Sequence, residues 1–273
     1  MNKITTFKPQ NQVLNEIIDF FIYFDIKASS GQEYNFKTFP NLNKCLAIYL
    51  NGQPSWNEDT NICEILRCSK PNSALFHNHK RPFNVKSTVS FKQFCIIFKE
   101  DGLNAVSQVP IEQIHWQEAV EQIFQNDFND YEAYFDDSKL EVNLPKIEFF
   151  LMKKLINSNR DGLFRTFLSN LNQFPTLSIS QHAQNLRMDE STLYRKLKMA
   201  TQKSPKQIQK EFIFRKTLNK IQNNSYNKLI DLCDIEYYDQ SHFIKNFQQF
   251  TGLTPKQIQR NISSTGPLFF MTA

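Results

Sequence analysis

Glycine is scarce in this sequence, with six residues among 273. Phosphate-binding loops of nucleotide enzymes need several closely spaced glycines, because their backbone must approach the phosphate groups directly. No such cluster occurs, and no Gly-x-Ser-x-Gly nucleophile motif is present. The acidic pair Asp136-Asp137 lies in a polar stretch without a partnering motif. We therefore predict a protein that is not an enzyme, with no catalytic residues and no cofactor.

Long hydrophobic runs are also absent. No apolar stretch reaches the ~18 residues that suggest a membrane-spanning helix. The longest candidate, Ile17–Phe24, contains Asp19 and is followed by Asp25. The first twelve residues are polar and do not resemble a signal peptide. We therefore expect a cytoplasmic protein that has no membrane partner.

Cysteine is limited to five residues, an odd number that fits a reducing compartment better than a disulfide framework. Cys63 and Cys68 are farther apart than the C-x2-C pairs typical of structural zinc sites. His77 and His79 could ligate a metal in a β-barrel, but no third ligand follows at a suitable distance. The same histidines also fit a polar turn between strands. We therefore predict inert thiols and no metal site.

Charge is divided unevenly along the chain. Residues 1–145 contain 13 Lys and Arg against 18 Asp and Glu, a net charge of −5, whereas residues 146–273 contain 19 against 9, a net charge of +10. A basic half of this kind is the electrostatic footprint of nucleic-acid binding. The alternative is a basic, solvated surface with no partner.

The basic half contains two similar segments, 188–208 and 237–258, at a constant offset of 50 residues. Each has an aspartate that suits a helix N-cap, Asp189 or Asp239, followed by apolar residues at helical spacing. Each ends in Ser/Thr-Pro-Lys-Gln-Ile. The other aligned pairs are Leu193 with Phe243, Arg195 with Lys245, Leu197 with Phe247 and Thr201 with Thr251. A short helix with an apolar back and a polar, basic front is what the major groove of DNA admits.

A shorter apolar pattern precedes each segment. The residues are Ile179, Ala183 and Leu186 before the first, and Leu229, Leu232 and Ile235 before the second. A helix, a short turn and a second helix with a polar front form a helix-turn-helix. Pro205–Ile221, between the units, is helical by pattern and would span roughly 25 Å. With turns at both ends, the recognition helices would lie about one turn of B-DNA apart, ~34 Å.

At these residues the sequence resembles the AraC/XylS family of bacterial transcription regulators. The second unit carries DQSHF…F…TGLTP and the first carries A-x-x-L-x-M…L-x-R-x-L-K…SP, within a match over roughly Leu163–Arg260. The family usually has glycine in each inter-helix turn, where this chain has Arg187 and Glu236, and after Thr201, where it has Gln202. The resemblance implies a sequence-specific transcription regulator with its recognition helices in successive major grooves of double-stranded promoter DNA.

The polar fronts of the two helices supply the candidate DNA contacts. An arginine can pair with guanine, a glutamine with adenine, and an apolar side chain can touch a thymine methyl group. The predicted base-reading residues are Glu190, Ser191, Tyr194, Arg195 and Lys198 in the first unit, and Gln240, Ser241, Ile244, Lys245 and Gln248 in the second. The predicted phosphate contacts are Lys206, Lys210, Arg215, Lys216 and His242.

The acidic half is expected to form a small β domain. A dense apolar run, Ile17–Ile26, has an ambiguous period and could be a short helix running into a strand. The strand candidates are Cys45–Leu50, Cys63–Arg67, Ala74–Phe76, Phe83–Ser87 and Gln93–Phe98, with turn signals between them. Many short strands with regular turns suggest a sandwich or barrel. We expect a cupin-like region over roughly Asn15–Lys99.

Helices are expected after this region, over Ile111–Phe124, Phe128–Asp137 and Leu144–Ile156. The last carries an apolar stripe, which either packs on its own domain or, as such helices commonly do in the resembled family, pairs two subunits. Phe94, Phe98 and Gly102 also resemble an F-x-x-x-F-x-x-x-G segment of some AraC-type regulators. In that group the domain is regarded as a sensing or dimerisation module.

The predicted fold is therefore α+β. Residues 1–158 form a sensing or dimerisation domain, residues 159–262 an all-α domain of two helix-turn-helix units joined by a linker helix, and residues 263–273 a tail. The resemblance adds a small-molecule effector, RNA polymerase and a second copy of the chain as candidate partners. Two alternatives remain open: a cupin-like metal-dependent enzyme with a DNA-binding tether, and a protein-interaction adaptor.

Overall fold

The structure, a computed structural model, describes residues 2–28, 33–124, 140–155, 162–223, 225–226, 228–232, 237, 239–261 and 269–271. It is α+β, as predicted, with strands in the N-terminal part and helices in the C-terminal part. The chain forms two compact units. The first contains residues 1–35, 43–77 and 84–160, and the second contains residues 36–42, 78–83 and 161–273. Two short segments of the N-terminal half therefore belong to the helical unit.

Ten strands are described, and they form two five-stranded sheets. They are Lys3–Phe7 (β1), Ile18–Ile26 (β2), Tyr34–Thr38 (β3), Lys44–Tyr49 (β4), Gly52–Asn57 (β5), Ile62–Arg67 (β6), Asn72–Phe76 (β7), Phe83–Ser87 (β8), Phe91–Phe98 (β9) and Phe269–Met271 (β10). One sheet has the order β1-β2-β9-β4-β7 and the other β10-β3-β8-β6-β5. All five strand candidates are confirmed to within two residues at their ends. Strands β1, β3, β5 and β10 were not predicted.

The run Ile17–Ile26 does not begin with the short helix suggested above: it is a strand, β2, over Ile18–Ile26, and seven of the nine residues of this strand are buried. A strand covered on both faces loses the alternation of polar and apolar residues, so its sequence alone cannot be distinguished from a buried helix. Pairing is antiparallel along the first sheet, from β1 to β7. In the second sheet β6 and β8 run parallel, with Ile62 opposite Asn84, which departs from an all-antiparallel jelly roll.

The core of the first unit explains the F-x-x-x-F-x-x-x-G segment. Phe94 and Phe98 are fully buried, and Phe94 stacks on Phe21 with ring centroids 5.6 Å apart. Gly102 follows, where a Cβ atom would lie 1.9 Å from the carbonyl oxygen of Ile17. Only glycine permits that approach of two backbone segments. The motif is therefore a packing requirement of this unit.

The first unit contains three described α-helices, Gln12–Asn15 (α1), Ala119–Phe124 (α2) and Leu140–Lys153 (α3), and two 3₁₀ turns, Gly102–Ala105 and Ile111–Gln113. The predicted helix Ile111–Phe124 is wrong over its middle. The chain there is not helical, since Gln117 forms a β-bridge with Ala74 and Glu118 adopts the left-handed backbone conformation, with φ 60°. The predicted helix Phe128–Asp137 lies outside the described residues.

Helix α3 packs on its own unit. Ile147 and Leu151 are buried in the core of the first unit, and Phe150 contacts Phe124 edge-to-face at 5.2 Å. The carboxylate of Glu148 accepts hydrogen bonds from the backbone N–H groups of residues 10 and 11. The apolar stripe of this helix therefore packs against its own unit, which is the first of the two alternatives given above.

The second unit is helical around two separate cores. Its helices are Leu163–Gln173 (α4), Ile179–Asn185 (α5), Glu190–Thr201 (α6), Pro205–Gln222 (α7), Gln240–Thr251 (α8) and Pro255–Asn261 (α9), with a 3₁₀ turn at Leu229–Leu232. The first core includes Phe167, Leu193 and Leu197. The second includes Phe214 and Phe247. Among the described residues no helix is long and apolar enough to cross a membrane.

The prediction of two supporting helices is confirmed for the first of them only. The first is α5, which begins at a capping box formed by Ser178 and Gln181. The second is a 3₁₀ turn, Leu229–Leu232, over the residues that can be followed. Ile235 and Glu236 lie outside the described residues.

The turn between α5 and α6 takes the backbone shape that glycine favours, although it contains none. Arg187 has φ 55°, in the left-handed region. A residue with a Cβ pays roughly 1–2 kcal/mol there. The departure from the family pattern therefore leaves the turn in place and costs some stability.

Replacing Arg187 by glycine should raise the free energy of unfolding of the helical unit by about 0.5–1 kcal/mol. The relief of strain exceeds the extra chain entropy that glycine gives the unfolded state. Arg187→Ala is the control, because alanine retains the Cβ atom and should gain nothing. Urea unfolding followed by circular dichroism measures both, and equal midpoints for the two variants would contradict the strained turn.

Candidate nucleic-acid interface

The two recognition helices, α6 and α8, begin in the same way. Each has 12 residues and starts after an aspartate with extended backbone. Oδ1 of Asp189 accepts a hydrogen bond from the backbone N–H of Thr192 at 2.8 Å, and Oδ1 of Asp239 accepts one from that of His242 at 2.7 Å. Each bond satisfies a backbone donor that a helix N-terminus leaves without a partner.

The helices also end in the same way. Gln202 and Gly252 are both left-handed, with φ 60° and 71°, and their N–H groups bond to the carbonyl oxygens of Lys198 and Gln248. Glycine adopts this conformation without cost, whereas glutamine does not. The geometry after α6 is therefore that of a glycine turn, made by another residue.

The turns into the next helices match atom for atom. Oγ1 of Thr201 donates to the carbonyl of Leu197 at 2.7 Å, and Oγ1 of Thr251 donates to that of Phe247 at 2.7 Å. Ser204 and Thr254 then each form reciprocal bonds with the glutamine three residues later. Pro205 and Pro255 open the following helices. The 50-residue repeat is thus a repeat of structure.

The front of α6 is available to a ligand. Glu190, Ser191, Tyr194, Arg195 and Lys198 are all exposed, with Tyr194 at 49%. Two of these side chains already have partners in the chain. The hydroxyl of Ser191 donates to Oδ1 of Asp189 at 2.5 Å, and Nζ of Lys198 donates to the carbonyl of Gln202 at 2.7 Å. Tyr194 and Arg195 are therefore the stronger candidates for reading bases.

The cap at Asp189 is electrostatically favourable. Hydrogen bonds from Ser191 and Thr192 hold the pKa of the Asp189 carboxyl well below its ordinary value. The carboxylate therefore stays charged at the positive end of the helix dipole. It also orients the Ser191 hydroxyl.

The front of α8 matches that of α6 with one exception. Gln240, Ser241, Lys245 and Gln248 are exposed. Ile244 is half-buried and packs against the second core, so only part of its side chain can reach a ligand. A large apolar side chain on α6 that the sequence analysis did not single out, Met199, is 77% exposed. The sequence signal that could have singled it out is an apolar side chain next to the polar residues at the front of the helix.

Three of the five predicted phosphate contacts converge on one cleft. Lys206, Lys210 and His242 line a cleft of about 420 Å³ in the helical unit. The other lining residues are Pro175, Thr176, Gln209, Ile213, Tyr237 and Asn246. Among the described residues, none that lines this cleft is acidic. Lys206 and Lys210 lie on α7, and His242 lies on α8. The cleft therefore combines two lysine side chains of α7 with the imidazole of His242 on the recognition helix α8.

Polar groups give the cleft a defined wall. Gln209 is buried, and its amide donates to the carbonyls of Pro175 and Leu177 at 2.9 and 2.8 Å. Its oxygen accepts a hydrogen bond from Nζ of Lys206 at 3.0 Å, which holds that ammonium group at the cleft. Asn246, 5% exposed, has a side-chain oxygen with no hydrogen-bond partner. A buried amide of this kind can bind a polar group of a ligand.

The prediction that Arg215 contacts phosphate is wrong. Its side chain is buried, and Nε and Nη2 donate to the carbonyls of Pro40 and Phe39 at 2.7 and 2.6 Å. The pattern of basic residues along α7 could not separate Arg215 from its neighbours, because its partners are 175 and 176 residues away in the sequence. Lys216 is half-buried, and its role as a phosphate contact stays a prediction.

Of the two histidines considered as metal ligands, His79 makes other contacts in the structure. Nε2 of His79 lies 3.1 Å from the carbonyl oxygen of Phe39, and its ring packs edge-to-face on Phe83. Across the part of the chain that the structure describes, no three His, Cys, Asp or Glu side chains are grouped so that they could hold a metal ion.

Comparisons with known proteins give weak structural similarities. No protein-family model matches the chain, and no curated protein matches it. Among solved structures, ToxT from Vibrio cholerae aligns at 9% identity over 95% of this chain and 98% of that chain, with a TM-score of 0.49. ToxT bound to (E)-4-(8-methylnaphthalen-1-yl)but-3-enoic acid aligns at 11% identity over 94% and 98%, with a TM-score of 0.46.

A shorter similarity covers part of the chain. A DNA-binding transcriptional dual regulator from Escherichia coli K-12 aligns at 22% identity over 38% of this chain and 96% of that one, with a TM-score of 0.33. At these scores none of the similarities assigns a function. The function is therefore argued from the residues of this chain.

Proposed function

We propose that this protein is a transcription regulator that binds double-stranded promoter DNA with two helix-turn-helix units. Helices α6 and α8 would each enter a major groove. The observation that supports this most is the structural repeat at 50 residues, from the caps at Asp189 and Asp239 to the turns at Thr201 and Thr251. Two copies of one recognition element in one chain suit two similar contacts on a long, repetitive ligand. The AraC/XylS motifs stated above point to the same function.

The length of α7 fits this function. Its 18 residues correspond to roughly 27 Å of helix. With a turn at each end, the two recognition helices can address positions about one turn of B-DNA apart, ~34 Å. A single chain could then contact two successive major grooves on one face of the duplex.

The basic cleft gives the DNA backbone a place to bind. Between two successive major grooves a phosphate strand passes the protein, and it requires cationic groups and no nearby carboxylates. Lys206 and Lys210 provide such groups from α7, and the imidazole of His242 on α8 can donate a hydrogen bond to a phosphate oxygen. In the proposal these three residues bind phosphate, and Tyr194, Arg195, Gln240 and Lys245 read bases.

Other partners enter the proposal through the family resemblance alone. They are a small-molecule effector, a second copy of the chain and RNA polymerase. One argument for the adaptor alternative was that Arg187 replaces a glycine in the turn. That argument is removed, because Arg187 keeps the left-handed backbone conformation. No specific observation favours the metal-dependent enzyme.

The full-length chain should select a defined sequence from a pool of random duplexes. We expect enriched DNA to contain two short motifs about one helical turn apart, because each recognition helix reads one groove. Selection at two salt concentrations followed by sequencing is the measurement. Binding without enrichment that disappears at modest salt would leave only the electrostatic attraction of a basic surface and reject the proposal.

Arg195→Ala should weaken binding to the selected site by about 1–3 kcal/mol and relax the base preference at one position of one motif. The matched control is Lys245→Ala, at the equivalent position 50 residues later, which should relax the other motif. Repeating the selection with each variant tests this. An equal loss of affinity on all sequences would show that Arg195 contacts phosphate.

Lys210→Ala should weaken binding uniformly across sequences and lower the slope of log K against log salt by about one. The physical reason is that one fewer counterion is released when the cleft binds a phosphate. Lys3→Ala, an exposed lysine on β1 of the first unit, is the control and should leave the slope unchanged. A loss restricted to certain bases would argue against a phosphate contact at Lys210.

A further inference from the structure

Residues 39–42, here called the inserted segment, belong to the helical unit although they are more than 100 residues before it in the sequence. The segment touches both cores of that unit. Phe39 is 2% exposed, lies in the second core and contacts Phe214 edge-to-face at 6.3 Å. Leu42 packs against the first core. Four consecutive residues thus join the two helix-turn-helix units.

The backbone of the inserted segment is held by two buried cations. Arg215 donates to the carbonyl oxygens of Phe39 and Pro40, and Nζ of Lys203 donates to that of Asn41 at 3.1 Å. Three successive carbonyl groups are therefore bonded to side chains of α7 and the turn that precedes it. These carbonyls help to stabilise the two buried charges of Arg215 and Lys203.

A buried carboxylate completes the arrangement. Glu211, on α7, forms an ion pair with Lys203 at 2.5 Å, and both side chains are nearly inaccessible to water. Burial raises the pKa of the Glu211 carboxyl, and Lys203 opposes that shift. Such a network tolerates little displacement, because each charge depends on the position of its partner.

Two further contacts of the helical unit involve residues outside the inserted segment. Nδ2 of Asn78 donates to the side-chain oxygen of Gln202 at 3.0 Å, at the left-handed end of α6. Strand β10 pairs with the residues just before the inserted segment, Phe36, Lys37 and Thr38. The segment is therefore fixed at both helix-turn-helix units and along its own backbone.

We propose that the inserted segment sets the separation of the two recognition helices, and thereby the spacing between half-sites that the protein accepts. Helix α7 connects the two helix-turn-helix units, since it supplies Ile208 to the first core and Phe214 to the second. The inserted segment is a second connection, anchored by Phe39 in one core and Leu42 in the other, and it restrains the relative orientation of the units further. The consequence for DNA rests on the function proposed above.

Two variants of the full-length chain test the proposal. Arg215→Met removes the cation that binds two carbonyls, and Leu42→Ala removes one anchor with a smaller risk to folding. Lys228→Met is the control, since it removes the same charge as Arg215→Met from an exposed position of the same unit. Circular dichroism and thermal unfolding establish that each variant is folded.

The first readout does not need DNA. Spin-labelled unnatural amino acids at the equivalent exposed positions Met199 and Gln249 report the distance between α6 and α8 by pulsed electron resonance. The otherwise unchanged chain and Lys228→Met should give one narrow distance distribution, whereas Arg215→Met and Leu42→Ala should broaden or shift it. An unchanged, narrow distribution in both folded variants would overturn the role of the inserted segment.

The second readout is the spacing preference on DNA. Duplexes carry the two selected motifs at the native spacing or with one, two or five base pairs added or removed. The wild type should prefer the native spacing by about tenfold, which corresponds to 1.4 kcal/mol. In Arg215→Met and Leu42→Ala this ratio should fall to about threefold or less, while affinity for a single motif changes by less than about twofold.

The two readouts separate the possible failures. Absence of any selected motif with the wild type would reject the proposed DNA-binding function, and the distance measurement would still decide whether the segment fixes the helices. A uniform loss of affinity with an unchanged spacing ratio would show that the segment only stabilises the fold. Retained spacing preference in both variants would reject the proposal directly.

Discussion

The guanidinium of Arg215 is buried inside the helical unit, and the packing around it depends on the groups that stabilise its charge. Burial lowers its pKa to about 9 and Glu211 opposes the shift, so the group remains charged at neutral pH. A buried cation must be compensated by nearby dipoles or charges. The carbonyls of Phe39 and Pro40 do this, and they draw a segment of the N-terminal half into the helical unit.

Around that centre, the two helix-turn-helix units are built from interactions that repeat every 50 residues. An aspartate caps each recognition helix, a threonine closes its end, and a Ser/Thr-Pro step starts the next helix. The units differ where the backbone is left-handed. Gly252 adopts that shape without cost, whereas Gln202 and Arg187 adopt it under strain. The strain lowers the stability of the first helix-turn-helix unit, while the geometry of its recognition helix is kept.

Charge divides the helical unit into a surface and an interior. Lys206, Lys210 and His242 surround an open cleft that no acidic residue lines among those described, which suits a phosphate strand. Arg215 and Lys203, on or beside the same helix, are buried and bind the inserted segment. Basic residues only a few positions apart are thus placed differently: Lys206 and Lys210 line the cleft that we propose binds phosphate, whereas Arg215 and Lys203 bind carbonyl groups of the inserted segment.

The sequence by itself determined the two recognition helices and the first supporting helix, because caps, turns and apolar spacing act between residues at most four positions apart. The second supporting helix was predicted too, but the described residues there form a 3₁₀ turn, Leu229–Leu232. The sequence also located most strands and placed the front residues of α6 and α8 on exposed surfaces, apart from Ile244, which is half-buried. Only the tertiary structure decided that Arg215 faces inward, that the stripe of α3 packs on its own unit, and that strand β10 pairs with β3. Those outcomes depend on partners that are distant in sequence, and neither periodicity nor composition records which of two basic residues on one helix will meet a buried carbonyl group.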